Sequence, residues 1–157
     1  MSTYHWLLAL HVTGAFLMLG GSAAAGILNV FAQRQERPSE VAFFFGVVRL
    51  AVPAIGIGAV LTLVLGLWLV HHRGYSYGAF WVWAAVVLWA VGMALGGRGG
   101  REQDETRRLA LRLASEGDAP NAELRAQLRA PIPIAMSWGA GLAFVLVLVL
   151  MIWKPGS

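Results

Sequence analysis

Four apolar stretches constrain this chain more than any other feature: 6–32, 50–70, 80–97 and 132–153. A helix needs ~20 predominantly apolar residues to cross the hydrocarbon of a bilayer, where its backbone must satisfy itself. The third stretch reaches that length when it starts at Tyr77. Each holds at most one ionisable side chain. A soluble helical bundle would show polar stripes at a period of 3.6 residues, and these are absent. Composition agrees, with 58% hydrophobic and 13% charged residues against about 45–50% and 25% in soluble domains. The sequence therefore predicts an all-α, polytopic membrane protein: a single transmembrane domain over 1–157, a four-transmembrane-helix bundle with spans at about 6–32, 42–70, 77–97 and 132–153. The first stretch reads as a retained helix. No basic segment precedes it, it exceeds a signal-peptide core in length, and no cleavage site closes it.

Charge sets an expected orientation. Four antiparallel spans put the N-terminus, the second loop and the C-terminus on one side, with only Arg73 and Lys154 among the cations there. Arg34 and Arg37 of the first loop, and Arg98, Arg101, Arg107, Arg108, Arg112, Arg125 and Arg129 of the third, share the other side. The positive-inside rule then makes the first and third loops cytoplasmic and both termini external, in a bacterial cytoplasmic (inner) membrane. The net charge of +4 is distributed for lipid headgroups, not for nucleic acid.

The hydrophilic loop 98–131 carries a cytoplasmic amphipathic segment between helices 3 and 4. Leu109 and Leu113 are spaced i, i+4, and Leu124 and Leu128 repeat that spacing; Gly117, Asp118 and Pro120 separate the two pieces, with Asp118 a candidate cap. Both pieces read as short helices lying on inner headgroups. The sharper alternative is a docking site, between Arg101 and Arg129, for a membrane-complex partner or a second copy in a homo-oligomer. Within the spans, Gly14, Gly20, Gly21, Gly26, Gly92 and Gly96 are placed to let backbones approach closely. Trp6, Trp81, Trp83 and Trp153 fall where an aromatic belt is expected.

Ionisable groups at membrane depth are candidate functional residues because their desolvation is costly. His11 and Arg49 qualify. His11 lies about two turns into the first span, with Leu8, Gly14, Ala15 and Met18 on its face and Gly14 leaving room for a flat ligand. A neutral imidazole can ligate through one nitrogen while the other donates a hydrogen bond, which suits haem iron. The plain alternative is a histidine hydrogen-bonded between helices. Arg49 is a candidate partner for a buried anion such as a haem propionate, or it snorkels to headgroups. His5, His71 and His72 gather near the outer surface as a candidate site for a divalent or cuprous ion; unliganded surface histidines are the plain alternative. Met18, Met93, Met136 and Met151 form no spaced motif and read as packing residues. With no Cys, disulfides, iron–sulfur clusters and thiolate metal sites are excluded. All eight acidic residues lie in the first and third loops; a carboxylate-driven pump has no buried carboxylate to work with.

Three segments together carry a resemblance: Trp6 through His11 to Val12; Pro53 through Thr62 to Gly66, Leu67 and Trp68; and the ending Ile152, Trp153, Lys154, Pro155. This arrangement resembles a family of small bacterial integral membrane proteins classed as a domain of unknown function. More distantly it is similar to HemJ-type protoporphyrinogen oxidases and CopD-type membrane domains. The HemJ-type likeness implies b-type haem on His11. Those proteins also carry a third-helix Lys and an Asn-Glu before the proline of the fourth helix. Here 80–97 holds neither Lys nor His, and Leu128, Arg129 and Ala130 precede Pro131, which counts against protoporphyrinogen oxidation. Three roles follow: a haem b protein in redox or porphyrin handling, a non-enzymatic accessory subunit of a membrane complex, or a copper or small-solute permease.

Overall fold

A computed structural model describes residues 3–155. They form five α-helices and no strand: α1 (Thr3–Gln33), α2 (Pro38–His72), α3 (Phe80–Ser115), α4 (Ala122–Leu128) and α5 (Pro131–Trp153). Four helical runs are long and apolar enough to span a membrane, in α1, α2, α3 and α5. The chain is thus a four-helix membrane bundle. Its perimeter is what lipid requires, since Phe16, Leu50 and Trp153 are 74%, 78% and 80% exposed.

The spans stand in a ring. α1 packs most extensively on α2 and α3 on α5; α2 joins α3, while the α5–α1 side is the least packed. Lipid supplies no hydrophobic drive between helices, so close van der Waals approach must hold them together. Glycine permits it at three places. A Cβ on Gly58 would lie 2.5 Å from the Met18 nitrogen and 2.6 Å from the Gly14 oxygen. One on Gly14 would lie 2.7 Å from Leu61 Cβ, and one on Gly92 would sit 2.6 Å from the Phe144 ring. Gly20 and Gly26 have open space around them, so their expected packing role is not realised. Trp89 ties α3 to α2 by donating its indole N–H to the Ala59 carbonyl at 3.2 Å.

Beyond the apolar stretch α3 does not stop. Its 36 residues extend about 54 Å at 1.5 Å per residue, against ~30 Å of hydrocarbon. Past the C-cap Glu116 the chain turns away through Gly117 and Asp118, both with positive φ (127° and 54°), as the Asp118 N–H donates to the Leu113 carbonyl. The projecting part is amphipathic, yet its apolar face does not lie on headgroups. Leu109 and Leu113 pack on a cluster of Ala32, Val41, Phe45, Val48, Leu124 and Leu128 drawn from all of α1, α2 and α4. The reason is that α1 and α2 overrun the membrane too, and their apolar ends are covered by leucines in reach. We call this the arginine-rich end, and the opposite one the termini end.

Capping also differs from the sequence expectation. Asn121 caps α4, its Oδ1 accepting from the N–H groups of Glu123 and Leu124 at 2.8 and 3.1 Å. Asp118 caps the start of α2 instead, accepting from the Ser39 N–H at 2.7 Å and the Ser39 hydroxyl at 2.6 Å. The Ser39 hydroxyl and N–H, in that order, hold the Asp118 carboxyl below the usual carboxylate range, with Arg37 assisting. A carboxylate with a depressed folded pKa stabilises above its unfolded pKa, and that contribution is lost as pH falls through the folded value. The protection factor of the Ser39 amide, its exchange measured against the intrinsic rate at each pH, is therefore expected to fall as pH drops below about 5. In Asp118→Asn the same amide should exchange faster at neutral pH and lose the acid dependence; an unaltered pH profile would remove the cap from the account.

Candidate functional site

At the termini end the four spans diverge around a cavity of about 420 Å³, within the ~300–1,000 Å³ range of small-molecule sites. Helical periodicity builds the walls. Leu8, His11 and Ala15 face it from α1, Thr62 and Gly66 from α2, Trp81, Ala85 and Trp89 from α3, and Val147 and Met151 from α5. Each set is spaced by three or four residues, so each is one stripe of its helix. Below lies the packed cluster of Met18, Ala59 and Phe144.

His11 reaches this space because Gly66 yields it room. A Cβ at position 66 would lie 3.0 Å from His11 Cε1 and 3.4 Å from Nδ1. The expected spacer, Gly14, is spent on contact with α2 instead. The imidazole faces the backbone of Thr62, but Nδ1 is buried without a hydrogen-bond partner. Two more buried polar atoms on this wall are unpartnered: Thr62 Oγ1 and Trp81 Nε1. Among the described residues a fourth such atom, Arg107 Nε, lies elsewhere. Buried polar atoms left unpaired are uncommon and each is costly. Three of these atoms belong to residues that line one apolar cavity.

The sequence places Trp81 in the interfacial belt. It is instead turned inward, 6% exposed, while Trp6, Trp83 and Trp153 do face outward. Thr62, Gly66, Trp81, Met151 and the cavity's cations are site residues that single-helix reading missed. Only the i, i+4 spacings of Thr62 with Gly66, and of Trp81 with Ala85 and Trp89, could have pointed to them.

The mouth carries Arg73 and Lys154, both lining the cavity. The Arg73 Nη2 donates to the Tyr4 hydroxyl at 2.7 Å, and its guanidinium lies 4.6 Å over that ring. This hydrogen bond raises the already high Arg73 pKa. Lys154 Nζ donates to the Tyr75 hydroxyl at 3.4 Å and lies 4.9 Å from the ring centre.

The other sequence candidates fall outside the cavity. Arg49 sits at the arginine-rich end, 65% exposed and 3.9 Å from Asp104 of α3, which also pairs with Arg108 at 3.0 Å. The structure does not bring Arg49 near His11. His72 stacks on Tyr4, His71 stacks on Tyr77, and His5 meets Tyr4 edge-on. No three His, Asp or Glu side chains converge as a metal site among the described residues.

Four spans around a half-open cavity define a polytopic integral membrane protein with a candidate small-molecule site at one end. Residues 5–155 match the family of predicted integral membrane proteins DUF2269, and the chain belongs to that family. No curated protein and no solved structure matches it.

Proposed function

We propose that this membrane protein binds b-type haem in the termini-end cavity, with His11 as an axial ligand. The observation behind this reading is the placement of His11: a histidine on an apolar intramembrane cavity, its Nδ1 enclosed against α2 and unpartnered. With Nδ1 and Cε1 seated against Gly66 of α2, Nε2 is the nitrogen left to ligate. Met151 lines the same cavity, and its thioether would be a second candidate to hold the iron. His5, His71 and His72 do not line it. Haem bound there would supply one-electron redox chemistry, with His11 holding it and the apolar walls of the cavity packing on its ring. By the positive-inside rule, the cavity lies in the outer leaflet half of a bacterial inner membrane.

Purified protein reconstituted with haemin should show a Soret band, and His11→Ala should abolish or shift it. Absence of the band, or a spectrum indifferent to the substitution, would sink the reading.

A further inference from the structure

We propose that Arg73 and Lys154 form an anion clamp at the cavity mouth, gripping the acidic group of an amphiphile whose apolar body fills the cavity. The proposal rests on the cavity holding a ligand, and stands whether or not that ligand is haem.

Charge isolation is the first support. Every Asp and Glu of the chain lies between positions 36 and 40 or between 102 and 123, in segments of the arginine-rich end. Among the described residues the two cations at the mouth therefore have no Asp or Glu side chain near them. Their partners are the neutral hydroxyls and rings of Tyr4 and Tyr75. A tyrosine positions a cation without cancelling its charge, and guanidinium and ammonium retain further donors for a ligand. Both side chains also follow helix C-termini, Arg73 at α2 and Lys154 at α5.

The second support is backbone conformation. Lys154 ends α5 in the left-handed region, φ 43° and ψ 57°, a position usually taken by glycine. A strained non-glycine residue points to a role for its side chain. Here that side chain returns over the cavity. The third is depth. Trp81 Nε1 and Thr62 Oγ1, on residues 6% and 1% exposed, wait unpartnered inside. Cations at the rim and apolar walls with a few buried donors are what an acid-headed amphiphile complements.

Two sources share this chemistry: the propionate carboxylates of haem and the phosphate of an anionic phospholipid, both bound well by guanidinium. Full-length protein in detergent can be titrated with haemin and haemin dimethyl ester, and by native mass spectrometry with phosphatidylglycerol and phosphatidylcholine. The wild type should favour the acid-bearing member of at least one pair by about tenfold or more, the size of one charge-assisted hydrogen bond. In Arg73→Gln/Lys154→Gly that preference should fall toward unity. Lys154→Gly alone should lose part of it while melting no lower than wild type, because glycine relaxes the left-handed turn. Preference only for phosphatidylglycerol supports the clamp and removes haem. No preference in the wild type, or one that survives in the double variant, overturns the clamp; a Soret band lost in His11→Ala beside such a result leaves the haem reading intact.

Discussion

Gly58→Ala is expected to destabilise the bundle by about 2–3 kcal/mol, more than any other single methyl added to α2. The added Cβ would stand 2.5 Å from the Met18 nitrogen, 2.6 Å from the Gly14 oxygen and 2.9 Å from Leu17 Cβ. Two of those atoms are backbone, so no rotamer change relieves the overlap and α1 must move as a unit. His11 lies one turn from Gly14, and Gly66 two turns from Gly58, so the same displacement would pull the imidazole from its seat. Gly56→Ala is the matched control. It is on the same helix with open space around it, and should gain about 0.5–1 kcal/mol from helix propensity. Thermal unfolding in detergent reads both. Equal stability of Gly58→Ala and wild type would mean that α1 and α2 are not in backbone contact at this level.

A comparable loss is expected at the other end. Leu124→Asp should cost roughly 3–5 kcal/mol, combining lost packing with a buried unpaired charge. Leu124 is 2% exposed in the cluster that joins α4 to the projecting ends of α1, α2 and α3. That cluster lies beyond the apolar spans, where water restores the hydrophobic effect as a driving force. The readout is protease cleavage between 117 and 121 and faster amide exchange in α4, with the spans unaffected. Leu111→Asp is the control, since Leu111 is 46% exposed on the outer side of α3 and should be near neutral. The pair also bears on docking. Leu109 and Leu113 are used within the fold, so a partner at this end would have to meet exposed positions such as Leu111 and Arg112. Loss of a co-purifying partner in Leu111→Asp, with stability intact, would be its signature; cleavage in Leu111→Asp equal to that in Leu124→Asp would refute the assigned packing.

Much of the architecture was legible because the bilayer is a severe filter. Runs of ~20 apolar residues have one common solution in hydrocarbon, so four spans could be read by length alone. His11 was legible for the same reason, as an ionisable group where ionisation is costly. Its neighbours were not. Gly66 makes room for it from another helix, and nothing in either helix's own spacing encodes that register. Asp118 shows the same limit: its chemistry as a cap was readable locally, but the helix it caps begins at Pro38, 80 positions earlier.

By itself, then, the sequence determined that the chain is helical, that it spans a membrane four times, that its charge is concentrated at one end, and that a histidine is carried into the apolar zone. Those properties follow from local composition, which solvent and lipid read one segment at a time. Tertiary structure alone decided which faces meet. It sent α3 well beyond the membrane, turned Trp81 inward, set Arg49 beside Asp104 and far from His11, and set Arg73 and Lys154 over the cavity that holds His11. Those outcomes depend on how close backbones come and at what register, quantities that exist only between helices.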